Sequence, residues 1–296
     1  MNSPLSSKSV PCKANLFNKL WLQLWSILLL PAGLLGLVKQ STDLQLRFLS
    51  FRVREDDIFI ATYPRSGTTW LQMILYQLTT DGSMDFTHIS QKSPWLERMF
   101  QAPRNALHTM PSPRLLKTHL NYGSVPKGPS RYIYVARDGR DVAASIHNFR
   151  NLQLAFPKSF NKFISGKVSG GSWFQHVKDW WANEDGLNLL FLTYEDIRAD
   201  PEANIRRIAA FIGVTLDDAR LTRTLERSSL AFMREHENKF DFLHMLAGEQ
   251  GLLGGRFIHE GKTGGAPDMI DKEMNSTYLA MFQDCFGDEE VPFRPK

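Results

Sequence analysis

One stretch of the chain combines the residue types that bind a multiply charged anion. Residues 58–63 form an apolar, β-branched and aromatic run that predicts a buried strand, which ends at Pro64. Arg65 brings a guanidinium, Gly67 permits a tight turn, and an apolar helical pattern begins at Thr68. The first N–H groups of a helix lack intrahelical partners and lie at its positive end. The turn therefore predicts a cradle for a phosphate or sulfate group.

This turn differs from the phosphate loop of the common nucleotide-binding kinases. Their loop requires a Gly, four further residues, and then Gly-Lys-Ser or Gly-Lys-Thr. Residues 63–70 contain a single Gly, and their cation stands two positions before it. An ordinary P-loop kinase is therefore disfavoured. For this motif alone, a strand, turn and helix that bind no ligand remain the alternative.

A second segment repeats the strand, turn and helix arrangement. An apolar strand is predicted at 132–136, a basic turn follows at 137–141, and a helical pattern runs over 142–149. Asp138 and Asp141 are expected to cap this helix. In open α/β sheets, ligands bind at the carboxyl ends of the strands. Two anion sites there predict a nucleotide that carries phosphate groups at both ends.

Strands and helices alternate after residue 57, which predicts a single α/β domain with a mostly parallel central sheet flanked by helices. Strands are expected at 57–63, 114–118, 131–136 and 188–194. Helices are expected at 68–80, 139–150, 172–185, 201–212 and 217–227. Irregular loops, which usually shape a substrate site, are expected at 81–113, 151–171 and 234–256.

The bulk composition narrows the classes of partner. The net charge of +4 suits an anionic small ligand, and it suits nucleic acid or an acidic membrane surface equally well. The basic residues form no run of five, however, and no zinc-finger or RNA-binding motif is found. Nucleic acid is therefore not an expected partner. Cys12 and Cys285 have no paired spacing, which excludes a disulfide framework and favours a reducing, cytoplasmic location. No carboxylate cluster suggests a metal, so none is expected.

The N-terminal region has its own pattern. Residues 14–38 place apolar side chains, two tryptophans among them, at helical spacing until Pro31 interrupts the helix. A helix lying on a membrane surface, or one packed on the domain, fits better than a spanning helix, which needs about 20 apolar residues. We expect an N-terminal extension over 1–40 and the main domain over 41–296. Peripheral membrane contact and a spanning helix both stay open.

Several segments together resemble the cytosolic-type sulfotransferases, which use 3′-phosphoadenosine 5′-phosphosulfate (PAPS). Residues 63–70 are similar to the 5′-phosphosulfate loop of that family. Arg137, followed eight positions later by Ser145, resembles the motif for the 3′-phosphate. The resemblance runs in family order from about residue 57 to about residue 264. Residues 114–120 resemble the strand that leads to the family's catalytic His. Residues 189–196 resemble the strand before the adenine-contacting Tyr, and residues 228–233 resemble the segment that lies over the purine.

The resemblance implies a P-loop-like phosphosulfate-binding loop and sulfuryl transfer from PAPS to a hydroxyl or amine of a small or lipid-like acceptor. The product nucleotide is 3′-phosphoadenosine 5′-phosphate (PAP), and no metal is required. His119 is the expected general base, because neutral imidazole accepts a proton near neutral pH. Lys117 and Arg65 are expected to stabilise charge on the sulfuryl group and the leaving phosphate. The residues assigned to the cofactor are Arg65, Ser66, Gly67, Thr68, Thr69, Trp70, Arg137, Ser145, Tyr194, Ser228, Met233, His259 and Gly261.

The late loop at 259–266 departs from the family pattern. Its glycines match, but His259 and Glu260 stand where the family has two cations. A catalytically degenerate nucleotide-binding protein of the same fold therefore stays open beside the enzyme, as does a P-loop kinase. Retention of all three catalytic candidates favours the enzyme. The family's Lys-x-x-x-Thr-Val dimer motif is not found around 272–277, so no oligomeric state is predicted.

Overall fold

Four strands build the sheet at the centre of the protein. The computed structural model describes residues 51–101, 106–150, 155–168, 170–241, 257–258, 261, 263–266 and 268–295. The strands are β1 (Asp57–Thr62), β2 (Arg114–Thr118), β3 (Arg131–Ala136) and β4 (Asn188–Thr193). They pair in parallel in the order β2-β1-β3-β4. Every residue of β1 is buried, as expected for a central strand of a parallel sheet.

Helices connect these strands and continue after the last one. They are α1 (Thr68–Thr79), α2 (Gly139–Arg150), α3 (Phe156–Ile164), α4 (Trp173–Trp181), α5 (Tyr194–Ala199), α6 (Pro201–Ile212), α7 (Asp218–Arg227), α8 (Leu230–Glu235) and α9 (Lys272–Phe286). Short 3₁₀ turns lie at Ile89–Gln91, Leu96–Gln101, Glu184–Gly186 and Glu237–Lys239. Because α1 follows β1 and α2 follows β3, both helices begin at the carboxyl end of a central strand.

The sheet register brings the ends of the strands to one edge. Thr62 pairs with Val135, which pairs in turn with Leu192. On the other side of β1, Ala61 pairs with Thr118. The turns that follow all four strands therefore lie along the same edge, where open α/β sheets place their ligands.

The opposite end of the sheet is tied together by a buried ion pair. Asp57 begins β1 and Arg114 begins β2, and the two residues are register partners. The Arg114 guanidinium binds the Asp57 carboxylate at 2.6 and 2.7 Å, and neither side chain is exposed. Arg114 also donates to the carbonyls of Leu107 and Arg52. The buried charges are thus paired and hydrogen-bonded, as burial requires.

The predicted strands and the five predicted helices are confirmed, with the largest difference at α4, which ends at Trp181. The prediction that residues 151–171 form an irregular loop is wrong where helix α3 lies within that range. Its Phe156, Phe160 and Phe163 recur at helical spacing, and a Pro in the first turn suits a helix start. Helices α5, α8 and α9 also lie outside the predicted helices.

The N-terminal predictions are not addressed by the fold. Within the ranges described above, no helix is long and apolar enough to cross a membrane. The predicted helix at 14–38 and the boundary near residue 40 lie outside those ranges. Both remain predictions.

Candidate active site

The turn between β1 and α1 has the form of an anion cradle. Gly67 adopts the left-handed region with φ 92°, and it starts α1 without any side-chain cap. Helices α4 to α9 differ, because each begins with a Ser, Thr or Asp side chain that accepts a backbone N–H. Ser66 is fully buried, and its Oγ has no hydrogen-bond partner among the described residues. The turn therefore holds several donors for an anion.

A cavity of about 1820 Å³ opens at this edge of the sheet. It brings together nearly all of the predicted site residues that the structure describes. Those on its wall are Arg65, Gly67, Thr68, Thr69, Trp70, Lys117, His119, Arg137, Ser145, Tyr194, Ser228, Met233 and Gly261. Ser66 is fully buried and is not on the wall, and His259 is outside the described residues. Across the described part of the chain, no three His, Cys, Asp or Glu side chains converge as metal ligands.

The ring of His119 is held in one tautomer. Its Nδ1 lies 2.8 Å from the backbone carbonyl of Thr62, so Nδ1 must carry the proton that it donates. The neutral ring therefore presents an unprotonated Nε2. Burial, followed by the positive charge of Lys117, holds the pKa of His119 well below its ordinary value. The imidazole is thus neutral at physiological pH and can accept a proton.

The backbone of His119 is fixed on both sides. Its N–H donates to the Glu97 carboxylate, and its carbonyl accepts from His176 Nε2 at 3.1 Å. His176 in turn accepts from the hydroxyl of Tyr134 at Nδ1, at 2.8 Å, and burial lowers the pKa of His176 to about 4. Sequence reasoning missed these three supporting residues. Tyr134 lies in a predicted strand and His176 in a predicted helix, but no pattern linked them to His119.

Lys117 lies beside His119 in a partly aromatic environment. Its ammonium is 4.6 Å from the centre of the Trp95 ring, a cation–π distance. Burial lowers the pKa of Lys117 to about 8. The Glu97 carboxylate opposes this shift, whereas the charges of Arg65 and Arg98 add to it. Lys117 is therefore a cation that a modest change of surroundings can neutralise.

Arg65 joins the two predicted anion sites. Its Nε donates to Ser145 Oγ at 3.1 Å, while Arg137 donates to the Arg65 carbonyl at 3.0 Å. The Arg65 guanidinium also lies 4.5 Å from the centre of the Phe149 ring. Burial, then repulsion from Arg137, lowers the pKa of Arg65 to about 10, which leaves it charged at neutral pH. The β1–α1 and β3–α2 turns thus form one continuous basic surface.

Two aromatic rings border this basic surface. The rings of Trp70 and Tyr194 meet edge to face with centroids 5.3 Å apart, and the Arg137 guanidinium lies 4.4 Å from the Tyr194 ring. A Cβ on Gly67 would approach Tyr194 Cδ2 to 2.8 Å, and one on Gly261 would approach the Tyr194 hydroxyl to 2.7 Å. Both glycines therefore let the backbone come close to this ring.

The late loop is anchored by the start of α2. Asp138 caps the helix as predicted, because its carboxylate accepts the amide two residues ahead at 2.8 Å. The expectation that Asp141 also caps is wrong. Its carboxylate instead accepts the amides of Gly264 at 3.2 Å and Ala266 at 2.7 Å. Hydrogen bonds therefore join the late loop to the helix that begins at the second anion site.

Comparison with known proteins decides the family. A family model described as the sulfotransferase domain matches residues 55–289. The chain belongs to the sulfotransferase family. This sulfotransferase is 35% identical to human sulfotransferase 1C2 over 203 residues, which are 63% of this chain and 69% of the relative. It is 37% identical to mouse sulfotransferase 1B1 over 207 residues, which are 64% and 69%.

The fold of this sulfotransferase matches a solved structure of retinol dehydratase in complex with androsterone and the inactive cofactor PAP. The TM-score is 0.72 at 26% identity, over 83% of this chain and 85% of the other. The fold class and the enzyme class expected from the sequence are thereby confirmed, and PAPS is the co-substrate. The degenerate nucleotide-binding protein and the P-loop kinase are not favoured.

Proposed function

We propose that His119, Lys117 and Arg65 carry out sulfuryl transfer from PAPS to a hydroxyl or amine of a small, largely apolar acceptor. The observation that carries this proposal is the Thr62–His119 hydrogen bond. It leaves His119 Nε2 unprotonated on the wall of the cavity, beside two cations. A base next to fixed positive charge is what attack by a hydroxyl on a sulfuryl group requires.

The residues present fit a nucleotide with phosphate groups at both ends. The uncapped start of α1 and the unpartnered Ser66 hydroxyl suit the 5′-phosphosulfate. Arg137 and Ser145 suit the 3′-phosphate, and the Trp70–Tyr194 pair suits the purine. When bound, PAPS supplies an activated sulfuryl group. Ser228, Met233 and Gly261 complete this part of the wall.

Each catalytic residue then has a separate task. His119 accepts the acceptor proton at Nε2, and its bond to Thr62 keeps the ring oriented as the proton arrives. Lys117 places an ammonium near the reacting atoms. Arg65 is a fixed guanidinium that does not give up its proton, so its task is charge stabilisation alone. Positioning and electrostatics dominate, as they do in phosphoryl transfer.

The acceptor side of the cavity is mostly apolar. Ile89, Trp95, Phe149 and Phe240 lie on its wall together with His119. Such a lining suits an aromatic or lipid-like body that presents one hydroxyl or amine. Androsterone in the retinol dehydratase complex supports a small-molecule acceptor by analogy.

The first test separates catalysis from binding. His119→Ala should lower kcat by about two to four orders of magnitude, the range for loss of a general base. PAP affinity, measured by calorimetry, should stay within about twofold because His119 does not hold the nucleotide. His108→Ala is the matched control, since His108 is exposed and off the cavity wall. Equal turnover by the wild type and His119→Ala would exclude His119 as the base.

The second test concerns the 3′-phosphate. Wild type should bind PAP more tightly than ADP, and Arg137→Ala should remove most of that difference while ADP binding changes little. Because His259 and Glu260 stand where the family has two cations, this comparison decides whether the site still recognises the 3′-phosphate. Equal affinity for the two nucleotides would show that this site does not recognise the 3′-phosphate.

Peripheral membrane contact through residues 14–38 remains part of the proposal. Its support is the amphipathic pattern with two tryptophans. Deleting residues 1–38 should weaken co-sedimentation with anionic lipid vesicles and leave PAP binding intact. Unchanged co-sedimentation would contradict membrane contact through residues 14–38.

A further inference from the structure

The side-chain hydroxyl of Thr62 has no task in the reaction proposed above. Thr62 is the last residue of β1, and it is fully buried. Its Oγ1 lies 3.3 Å from His119 Nδ1 on one side and 2.6 Å from Thr68 Oγ1 on the other. Thr68 is the first residue of α1 and lies on the wall of the cavity. One hydroxyl therefore connects the proposed general base to the turn that suits the 5′-phosphosulfate.

The tautomer of His119 fixes the direction of these hydrogen bonds. Its Nδ1 proton is shared between two oxygens of Thr62, the carbonyl at 2.8 Å and Oγ1 at 3.3 Å. Because Thr62 Oγ1 accepts from His119, it donates its own proton to Thr68 Oγ1. Two protons do not fit between the same pair of oxygens, so the Thr68 hydroxyl directs its proton elsewhere. An anion held at the β1–α1 turn is a suitable acceptor for that proton.

A proton that arrives at Nε2 gives His119 a positive charge in unfavourable surroundings. Burial disfavours the protonated ring most, followed by the charge of Lys117. His176 and Arg65 act in the same direction, whereas the hydrogen bond to Thr62 opposes them. Each hydroxyl in a chain of hydrogen bonds polarises the next one. A negative charge at the far end of the chain therefore strengthens the bond that supports the charged ring.

We propose that Thr62 is a positioning residue that couples the general base to the bound sulfuryl donor through the chain His119–Thr62–Thr68. With an anion beside Thr68, the chain stabilises the protonated ring of His119. With water in place of the anion, the stabilisation is smaller, because a neutral acceptor makes the weaker hydrogen bond. The base is therefore strongest when the donor is in place.

The inference rests on the proposed function, because it assumes that His119 accepts the proton of the acceptor. It goes further by giving a task to Thr62, a residue that is not on the cavity wall. Thr62 acts through His119, and its substitution should therefore change the chemical step rather than the binding of the nucleotide.

Two substitutions at Thr62 separate the hydroxyl from the shape of the side chain. Thr62→Val keeps the branched shape, and kcat should fall about tenfold, the effect of losing a weak hydrogen bond to a charged group. Thr62→Ser keeps the hydroxyl and should retain most of kcat. PAP affinity, measured by calorimetry, should change less than about threefold in both variants. Thr224→Val is the matched control, because it also removes a fully buried threonine hydroxyl, which donates to the Arg220 carbonyl at 2.7 Å, and it should leave kcat unchanged.

A combined variant shows whether Thr62 acts through His119. In the His119→Ala background, Thr62→Val should change the residual kcat less than about twofold, because the base that it supports is gone. Thermal unfolding shows which variants are folded. An equal loss of kcat in both backgrounds would overturn the inference, and so would full kcat in a folded Thr62→Val.

A measurement without turnover tests the link to the anion. In protein that carries ¹⁵N-labelled histidine, the Nδ1 resonance of His119 is identified by its absence from His119→Ala, and it should shift when PAP binds. The shift should be less than about half as large in Thr62→Val and should be retained in Thr62→Ser. An equal shift in wild type and Thr62→Val would contradict the coupling. If Thr62→Val does not fold, Thr68→Val and Thr68→Ser at saturating PAP provide the same comparison, because they alter the other end of the chain.

Failure of the coupling and failure of the proposed function give different results. The proposed function is judged by turnover of His119→Ala and by the difference between PAP and ADP binding. A large loss in His119→Ala together with full kcat in a folded Thr62→Val would refute the coupling alone. Equal turnover by wild type and His119→Ala would refute both.

Discussion

The buried ammonium of Lys117 should set the alkaline limit of activity. Its pKa is lowered to about 8 by burial, with Glu97 opposing and with Arg65 and Arg98 adding to the shift. The neighbouring His119 stays neutral across the same range, because its pKa is held well below the ordinary value. The free enzyme thus progressively loses a needed cation as the pH rises through about 8.

The sign and size of the effect follow directly. Since the charged form is active, kcat/KM for PAPS should be flat from about pH 6 to about pH 7, fall to half near pH 8, and then approach a tenfold fall for each further pH unit. The alkaline decline of kcat should lie at higher pH than the decline of kcat/KM, because the negative charge of the bound donor favours the charged ammonium of Lys117. Initial rates at limiting PAPS and constant ionic strength measure the first profile, and rates at saturating PAPS measure the second.

Two variants make the assignment specific. Lys117→Arg should extend the plateau, since a guanidinium keeps its proton throughout this range. Glu97→Gln keeps an acceptor for the His119 amide but removes the carboxylate charge, so the alkaline limb should move to lower pH. A limb that stays in place in Lys117→Arg would refute the reasoning, because another group would then be titrating.

Two other positions give predictions about stability and binding. Gly67→Ala places a Cβ 2.8 Å from Tyr194 at a left-handed φ, so urea unfolding should show a loss of about 1–3 kcal/mol, and PAP affinity should fall with it. Unaltered stability would mean that the turn relaxes freely. Arg114→Leu leaves the fully buried Asp57 carboxylate without its partner, which should cost about 3–5 kcal/mol. Arg206→Leu, at an ion pair about half exposed, should cost about 0–1 kcal/mol, and equal losses at the two sites would contradict the argument.

The sheet and the helices around the site were predictable because their local signals agree. The apolar run before Pro64 and the run before Arg137 each end where a turn residue begins. Helix α6 carries an Asp cap followed by Pro, and it begins where predicted. Helix α9 also carries a signal, since Asp271 caps it and its buried aromatic residues are four positions apart.

The supporting contacts of the site could not be predicted in the same way. Glu97 and His176 reach His119 from elements that lie 22 and 57 positions away in the chain. Neither residue type nor spacing marks them, because the contacts depend on how a 3₁₀ turn and α4 pack against the end of β2. The continuity of the two anion sites through Arg65 and Ser145 likewise follows from tertiary packing.

The uncapped start of α1 links the amount of this protein to its co-substrate. Helices α4 to α9 carry their own side-chain acceptor at the first turn, whereas the start of α1 has none and leaves its N–H groups for a bound anion. A ligand that binds only the folded state adds about 2.7 kcal/mol of stability at one hundred times its dissociation constant. Proteases remove protein in proportion to the fraction that is unfolded. A cell short of activated sulfate should therefore lose both the substrate and part of the enzyme that uses it.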